Sequence, residues 1–69
     1  VPITARRLVR FLKRRGWIES RQRGSHLILI HPDFPNPIAV PMHARDLHKG
    51  LFLGILKNAG FSLDDFHND

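Results

Sequence analysis

The chain has no cysteine. Disulfides, cysteine nucleophiles and thiolate zinc sites are therefore excluded, and a reducing compartment suits it. No apolar run approaches the ~18 residues that a membrane-crossing helix needs. The N-terminal stretch is basic, with no long apolar region behind it, so no secretion signal is expected and a cytoplasmic location is the default. There is no acidic cluster suited to magnesium, so neither a metal nor a cofactor is expected. Length is scarce too. The 69 residues are read as one domain, 1–69, and a domain of that size buries only about 60% of its unfolded surface. A core so thin leaves no room for a deep pocket. Any chemistry should be shallow and act on a large substrate that brings its own binding energy.

What the chain does have is positive charge, +5 overall. Residues 1–30 carry eight Arg or Lys against one acid, Glu19. In residues 31–69, Arg45, Lys49 and Lys57 stand against five aspartates. A polyanion partner, nucleic acid first, fits this asymmetry. A well-solvated surface is the plainer explanation, since a net charge of this size is ordinary for a small domain.

A helix is expected from about Thr4 to Arg15, with Thr4 as N-cap and Gly16 as the stop. Ala5, Leu8, Val9, Phe11 and Leu12 share one face. Arg6, Arg7, Arg10, Lys13 and Arg14 share the other, which reads as an RNA-facing stripe or a docking face for an acidic protein. Trp17 to about Gln22 reads as a first strand, with Glu19 and Arg21 on one side and Ile18 on the other. His26–Ile30 is a second strand. His31–Pro37, with three prolines and an Asn, reads as a loop. Ile38–Val40 is a short third strand ended by Pro41. Met42–His48 is ambiguous. A second helix runs from about Lys49 to Ala59, with Leu51, Phe52, Ile55, Leu56 and Ala59 on its apolar face and Leu53 off it. Ser62-Leu63-Asp64-Asp65 resembles a capping box opening a last short turn, which Phe61 and Phe66 would fold onto the body. The fold class is α+β: two helices on one face of a three-stranded antiparallel sheet, the other face open and polar.

The centre of the chain is Arg23-Gly24-Ser25-His26, followed by Leu27-Ile28-Leu29-Ile30. Gly24 supplies the freedom for a tight turn, and Ser25 can bond back to the main chain. The four apolar residues make a buried strand. His26 is thus anchored at a strand start beside Arg21 and Arg23, where a held imidazole can meet a phosphate and move a proton near neutral pH. A lone histidine at a strand start is more often just a partly exposed strand residue. His26 and His31 point to opposite faces and make a poor chelating pair. His43 and His48 lie in irregular chain and His67 in the tail.

The α-β-β-β-α order is that of the double-stranded-RNA-binding domain, and the chain resembles one family more closely, the HicA toxins of type II toxin–antitoxin systems. The resemblance rests on the helix ending at Gly16-Trp17, then Arg23-Gly24-Ser25-His26, His31-Pro32-Asp33 and Val40-Pro41. It continues through His43, Leu47 and Lys49-Gly50 to Ile55-Leu56-Lys57-Asn58-Ala59-Gly60. It implies an mRNA interferase: a metal-independent endoribonuclease with a double-stranded-RNA-binding-like fold, a catalytic histidine mapping onto His26, mRNA as substrate and a HicB-type antitoxin that blocks the site. Two positions depart from the family pattern. Leu27 stands where a second His or a polar residue often follows the motif histidine, and Leu51 where a small hydroxyl residue often follows Lys-Gly.

RNA supplies its own nucleophile, the 2′-hydroxyl, so a ribonuclease needs little beyond positioning and proton transfer. On this reading His26 transfers the proton, Arg21, Arg23 and Lys49 offset phosphate charge, and the Gly24 and Ser25 backbone donates N–H bonds. The alternatives are a non-catalytic double-stranded-RNA-binding module and a pure protein-interaction module. RNA-binding modules of this fold usually carry several lysines at the start of the last helix, where this chain has only Lys49.

Overall fold

Thr4 opens the first helix as expected: its hydroxyl accepts the Arg7 N–H at 3.1 Å. The computed structural model describes residues 3–43 and 46–69. Its elements are α1 (Ala5–Arg14), β1 (Ile18–Arg23), β2 (His26–His31), β3 (Phe34–Pro41), α2 (Lys49–Asn58) and α3 (Leu63–His67). Gly16 ends α1 at φ +97°. Its N–H donates to the Lys13 carbonyl at 3.2 Å and the Trp17 N–H to that of Leu12 at 3.0 Å. This pair of bonds satisfies two carbonyls left over at the helix end and needs a left-handed residue between them. Gly60 ends α2 the same way, with the Phe61 N–H on the Leu56 carbonyl at 2.9 Å. Ser62 and Asp65 form the expected capping box on α3. The Asp65 carboxyl is held below its ordinary value by hydrogen bonds from Ser62, the backbone N–H foremost.

The three strands form one antiparallel sheet in the order β1-β2-β3. Leu27 and Leu29 of β2 and Ile38 and Val40 of β3 are buried with Leu8, Phe11 and Leu12 of α1 and Phe52, Ile55 and Leu56 of α2. Both helices therefore cover one sheet face, and each fully buried Leu, Ile or Phe stabilises that arrangement by about 1.5–3 kcal/mol. Phe66 of α3 completes the core, its ring 4.8 Å from that of Phe52 and 5.2 Å from that of Phe11.

Four expectations need correction. The His31–Pro37 loop is instead a short turn at Pro32-Asp33, and the chain is already in β3 at Phe34. His31 pairs with Phe34 and Leu29 with Ile38, so Pro35, Asn36 and Pro37 bulge opposite Ile30. An edge strand has one side free of partners, and a bulge there spares the prolines a ladder bond. In β1 the pairing steps from Glu19–Leu29 to Arg21–Ile28, leaving Ser20 as an extra residue. Glu19 therefore turns to the helix side, where Lys13 Nζ meets it at 2.6 Å, while Arg21 turns to the open side with Ile18. The open face is not polar throughout: Ile18, Ile28, Ile30 and Ala39 lie on it together with Arg21, Arg23 and His26, with Ile18 57% and Ile30 45% exposed. Leu51 is exposed rather than part of the apolar face of α2, as Leu53 is. Of the ambiguous Met42–His48 segment, Ala44 and Arg45 lie outside the described residues. His48 is the N-cap of α2, its Nδ1 accepting the Gly50 N–H at 3.1 Å.

The basic face of α1 is partly spent on the fold. Arg7 lies 4.5 Å over the Phe66 ring, and Arg14 and Arg15 reach Asp69 at 3.1 and 3.5 Å. These contacts fasten α3. Among the described residues, Arg6 and Arg10 have no carboxylate partner.

A methyl group on Gly16 would sit 2.9 Å from His31 Nε2, at a φ that side chains rarely adopt. Gly16→Ala should cost more than about 1 kcal/mol on conformation alone. Urea unfolding checks this, and an unchanged midpoint would contradict the packing described.

Candidate functional site

Alternation along β2 sets the site. With Leu27 and Leu29 buried in the core, His26, Ile28 and Ile30 face the other way. His26 is exposed, at the first position of the strand. The hairpin before it has two residues, Gly24 at φ +57° and Ser25 at negative φ. Glycine first and an ordinary residue second is the pattern of a type II′ turn, whose twist matches the flanking strands. The tip is braced from both sides. Gln22 Nε2 donates to the Gly24 carbonyl at 3.2 Å, and the Ser25 carbonyl accepts the Met42 N–H at 2.7 Å.

Register adds the cations. Arg23 is directly opposite His26, and Arg21 is opposite Ile28. Both pairs lie on the open face, so two guanidinium side chains start from the face that carries the imidazole. Without the Ser20 bulge, Arg21 would fall on the helix side. The structure thus gathers Arg21, Arg23, Gly24 and Ser25 around His26. Lys49 is placed apart: it opens α2 and lines a cleft with Ile3, Leu47, Phe52, Leu53 and Leu63.

The five histidines separate by what their rings do. His31 Nδ1 accepts the Asp33 N–H at 3.0 Å, and its Nε2 lies 3.3 Å from the Arg15 carbonyl. With Nδ1 accepting, Nε2 must carry the proton, so both nitrogens of a neutral ring are engaged. That ring packs against Trp17 and Phe34 at 5.2 and 5.1 Å. His48 caps α2 through Nδ1. His67 lies against Phe66 at 6.3 Å. His26, His43 and His67 are all exposed, with no ring hydrogen bond among the described residues, and of these His26 and His43 lie together, their centroids 6.4 Å apart. Reasoning from the residues placed His43 in irregular chain because its position depends on β3 pairing with β2. Its one signal in the sequence was its place among the positions that carry the family resemblance.

A cleft of about 590 Å³ lies between α1 and β1. It is lined by Arg6, Val9, Arg10, Gln22, Leu27 and Met42. It sits on the helix side of the sheet, away from His26, so the imidazole is on a surface rather than in a pocket. Among the described residues no three His, Cys, Asp or Glu side chains gather to hold a metal, and no helix is long and apolar enough to cross a membrane.

A family model described as "HicA toxin of bacterial toxin-antitoxin" matches residues 5–61, from the start of α1 to just past Gly60. The chain belongs to the HicA toxin family. It is a toxin of a toxin–antitoxin system, and the family match ends before α3. Its fold is also that of a chain in a solved structure described as a toxin–antitoxin complex from Streptococcus pneumoniae. The two are 33% identical, with a TM-score of 0.76, over 87% of this chain and 100% of that one. No curated protein sequence matches it.

Proposed function

We propose that this HicA toxin is a metal-independent endoribonuclease that cleaves mRNA, with His26 as its general acid or base. The observation that carries the proposal is the state of His26: exposed, fixed at the head of the central strand, free of ring partners among the described residues, and opposite Arg23. RNA's 2′-hydroxyl attacks the adjacent phosphorus, forming the O2′–P bond as the P–O5′ bond breaks. One proton leaves the 2′-oxygen and one reaches the 5′-oxygen. A single positioned side chain assists such a transfer by roughly 10² to 10⁴ in rate. Arg21 and Arg23 balance the charge that builds on the phosphate, and the N–H groups of the Gly24-Ser25 turn, which have no acceptor among the described residues, bind its oxygens. Lys49, at the start of α2, offsets phosphate charge on the RNA backbone away from the cleaved bond.

The toxin's partner is, on this reading, a HicB-type antitoxin that covers the open face. The structural neighbour comes from a toxin–antitoxin complex, and Ile18 and Ile30 offer an exposed apolar pair on the sheet face that also carries the cations and His26. A standard interface of about 1,600 Å² centred on that pair would extend over the imidazole.

Incubating RNA with the purified chain in EDTA should give fragments ending in 2′,3′-cyclic phosphate. His26→Ala should lower the rate at least ~10²-fold with RNA binding kept. Binding without cleavage by the native chain over a range of pH and RNA sequences would favour the non-catalytic RNA-binding module instead. Fragments bearing only 3′-hydroxyl ends would rule out the 2′-hydroxyl route.

Ile30→Asp should weaken binding of the cognate antitoxin about tenfold or more, the effect of losing an interface anchor, while RNA cleavage by the free toxin is retained. An unchanged antitoxin affinity would mean that the partner docks elsewhere.

A further inference from the structure

Cleavage of RNA by its own 2′-hydroxyl moves two protons, and His26 alone is one carrier. We propose that His43 is the second, so that the site is a two-histidine acid–base pair. This inference rests on the endoribonuclease reading and assigns a further catalytic residue within it.

Three observations bring His43 to the site. The first is register. His26 pairs with Pro41, the last residue of β3, so the chain leaves the sheet beside His26 and His43 follows two residues on. The second is bracing. The Met42 N–H donates to the Ser25 carbonyl at 2.7 Å, which pins the segment carrying His43 to the hairpin turn that presents His26. The third is the rings themselves. Their centroids are 6.4 Å apart and their planes are inclined by 57°. At that separation they are too far apart to share a direct hydrogen bond. A phosphodiester seated across them has one imidazole near each end of its in-line axis.

The other histidines sharpen the choice. His31 and His48 have ring nitrogens engaged by backbone groups, as helix and turn fastenings. His67 is exposed too, but it lies on α3 against Phe66. Among the described residues the ring nitrogens of His26 and His43 have no hydrogen-bond partner, and both residues are exposed side by side. The proposed step balances without a co-reactant. One ring takes the 2′-hydroxyl proton as O2′–P forms. The other gives its proton to O5′ as P–O5′ breaks. The phosphate's net charge is unchanged in the cyclic product, and water later exchanges the protons back.

The test is a set of single-turnover cleavage rates in EDTA for the native chain, His26→Ala, His43→Ala and His43→Gln. Each is measured on ordinary RNA and on the same RNA with a bridging sulfur in place of O5′ at its main cleavage site. A thiolate leaves without being protonated, so the variant that lacks the general acid recovers on this substrate and the variant that lacks the base does not. The pair predicts that both His43 variants lose at least ~10²-fold on ordinary RNA, with RNA affinity and circular dichroism unchanged. It also predicts that one of the two alanine variants, and not the other, regains most of its activity on the sulfur substrate. His43→Ala within threefold of native on ordinary RNA, with His26→Ala inactive, would overturn the pair and leave the His26 reading standing. Loss in the His43 variants with neither alanine variant recovering on the sulfur substrate would also overturn it, making His43 a positioning residue. A native chain that cleaves neither substrate would count against the endoribonuclease reading itself.

Discussion

One constraint runs through this fold: β2 can bury only one of its two sides. Leu27 and Leu29 go under the two helices because a small chain has few other places to gain apolar burial. The pleat then sends His26, Ile28 and Ile30 to the opposite face, as strand geometry requires. A one-residue slip in register would put the imidazole into the core and the leucines into water, and the II′ turn at Gly24-Ser25 holds the register. The candidate site is therefore a by-product of core packing, fixed by the same residues that make the chain fold. Rigid support of this kind is what proton transfer needs, since the imidazole must be in place before the substrate arrives.

The electrostatics follow from the same economy. The excess of arginine in the first thirty residues is not one undivided stripe. Arg7, Arg14 and Arg15 hold α3 and the residues after it through Phe66 and Asp69, Arg15 also lies over the Phe11 ring of α1, and Lys13 answers Glu19. Exposed ion pairs of this sort add little stability each, about 0–1 kcal/mol. They do decide which cations are left over. Arg6 and Arg10 face the cleft on the helix side, and Arg21 and Arg23 face outward with His26. A polyanion would meet positive charge on both sides of β1.

Much of this was legible in the sequence. Thr4, Gly16, Gly60 and the Ser62–Asp65 capping box mark helix ends by chemistry that acts within a few residues, and each stands where it was expected. The turn at Gly24 and the strand after it were legible for the same reason. Of the four apolar residues expected to be buried there, though, only Leu27 and Leu29 are, with Ile28 half-buried and Ile30 exposed. Apart from Leu51, which lies off the buried stripe of α2, the misreadings involve bulges or distant partners. Three prolines in β3 suggested a loop because an edge strand with a bulge cannot be told from a loop without its neighbour. Alternation in β1 put Glu19 and Arg21 together because the extra Ser20 leaves no mark in composition. An open polar face was expected because Ile18 was read without a partner, and its exposure beside Ile30 follows from a register that only the folded chain displays. His43 was passed over on the same ground. It reaches His26 through β3, and no local pattern announces that approach.

The placement of the histidines can be tested by NMR, using an RNA whose 2′-hydroxyls are replaced by hydrogen so that it binds without being cut. As this ligand is titrated in, the ring signals of His26 and His43 should move together and saturate with one affinity, while those of His31 and His48 stay fixed. If the oligonucleotide binds and the His26 ring remains silent, nucleic acid is held on another surface, and the exposed imidazole at the head of β2 is not where this toxin works.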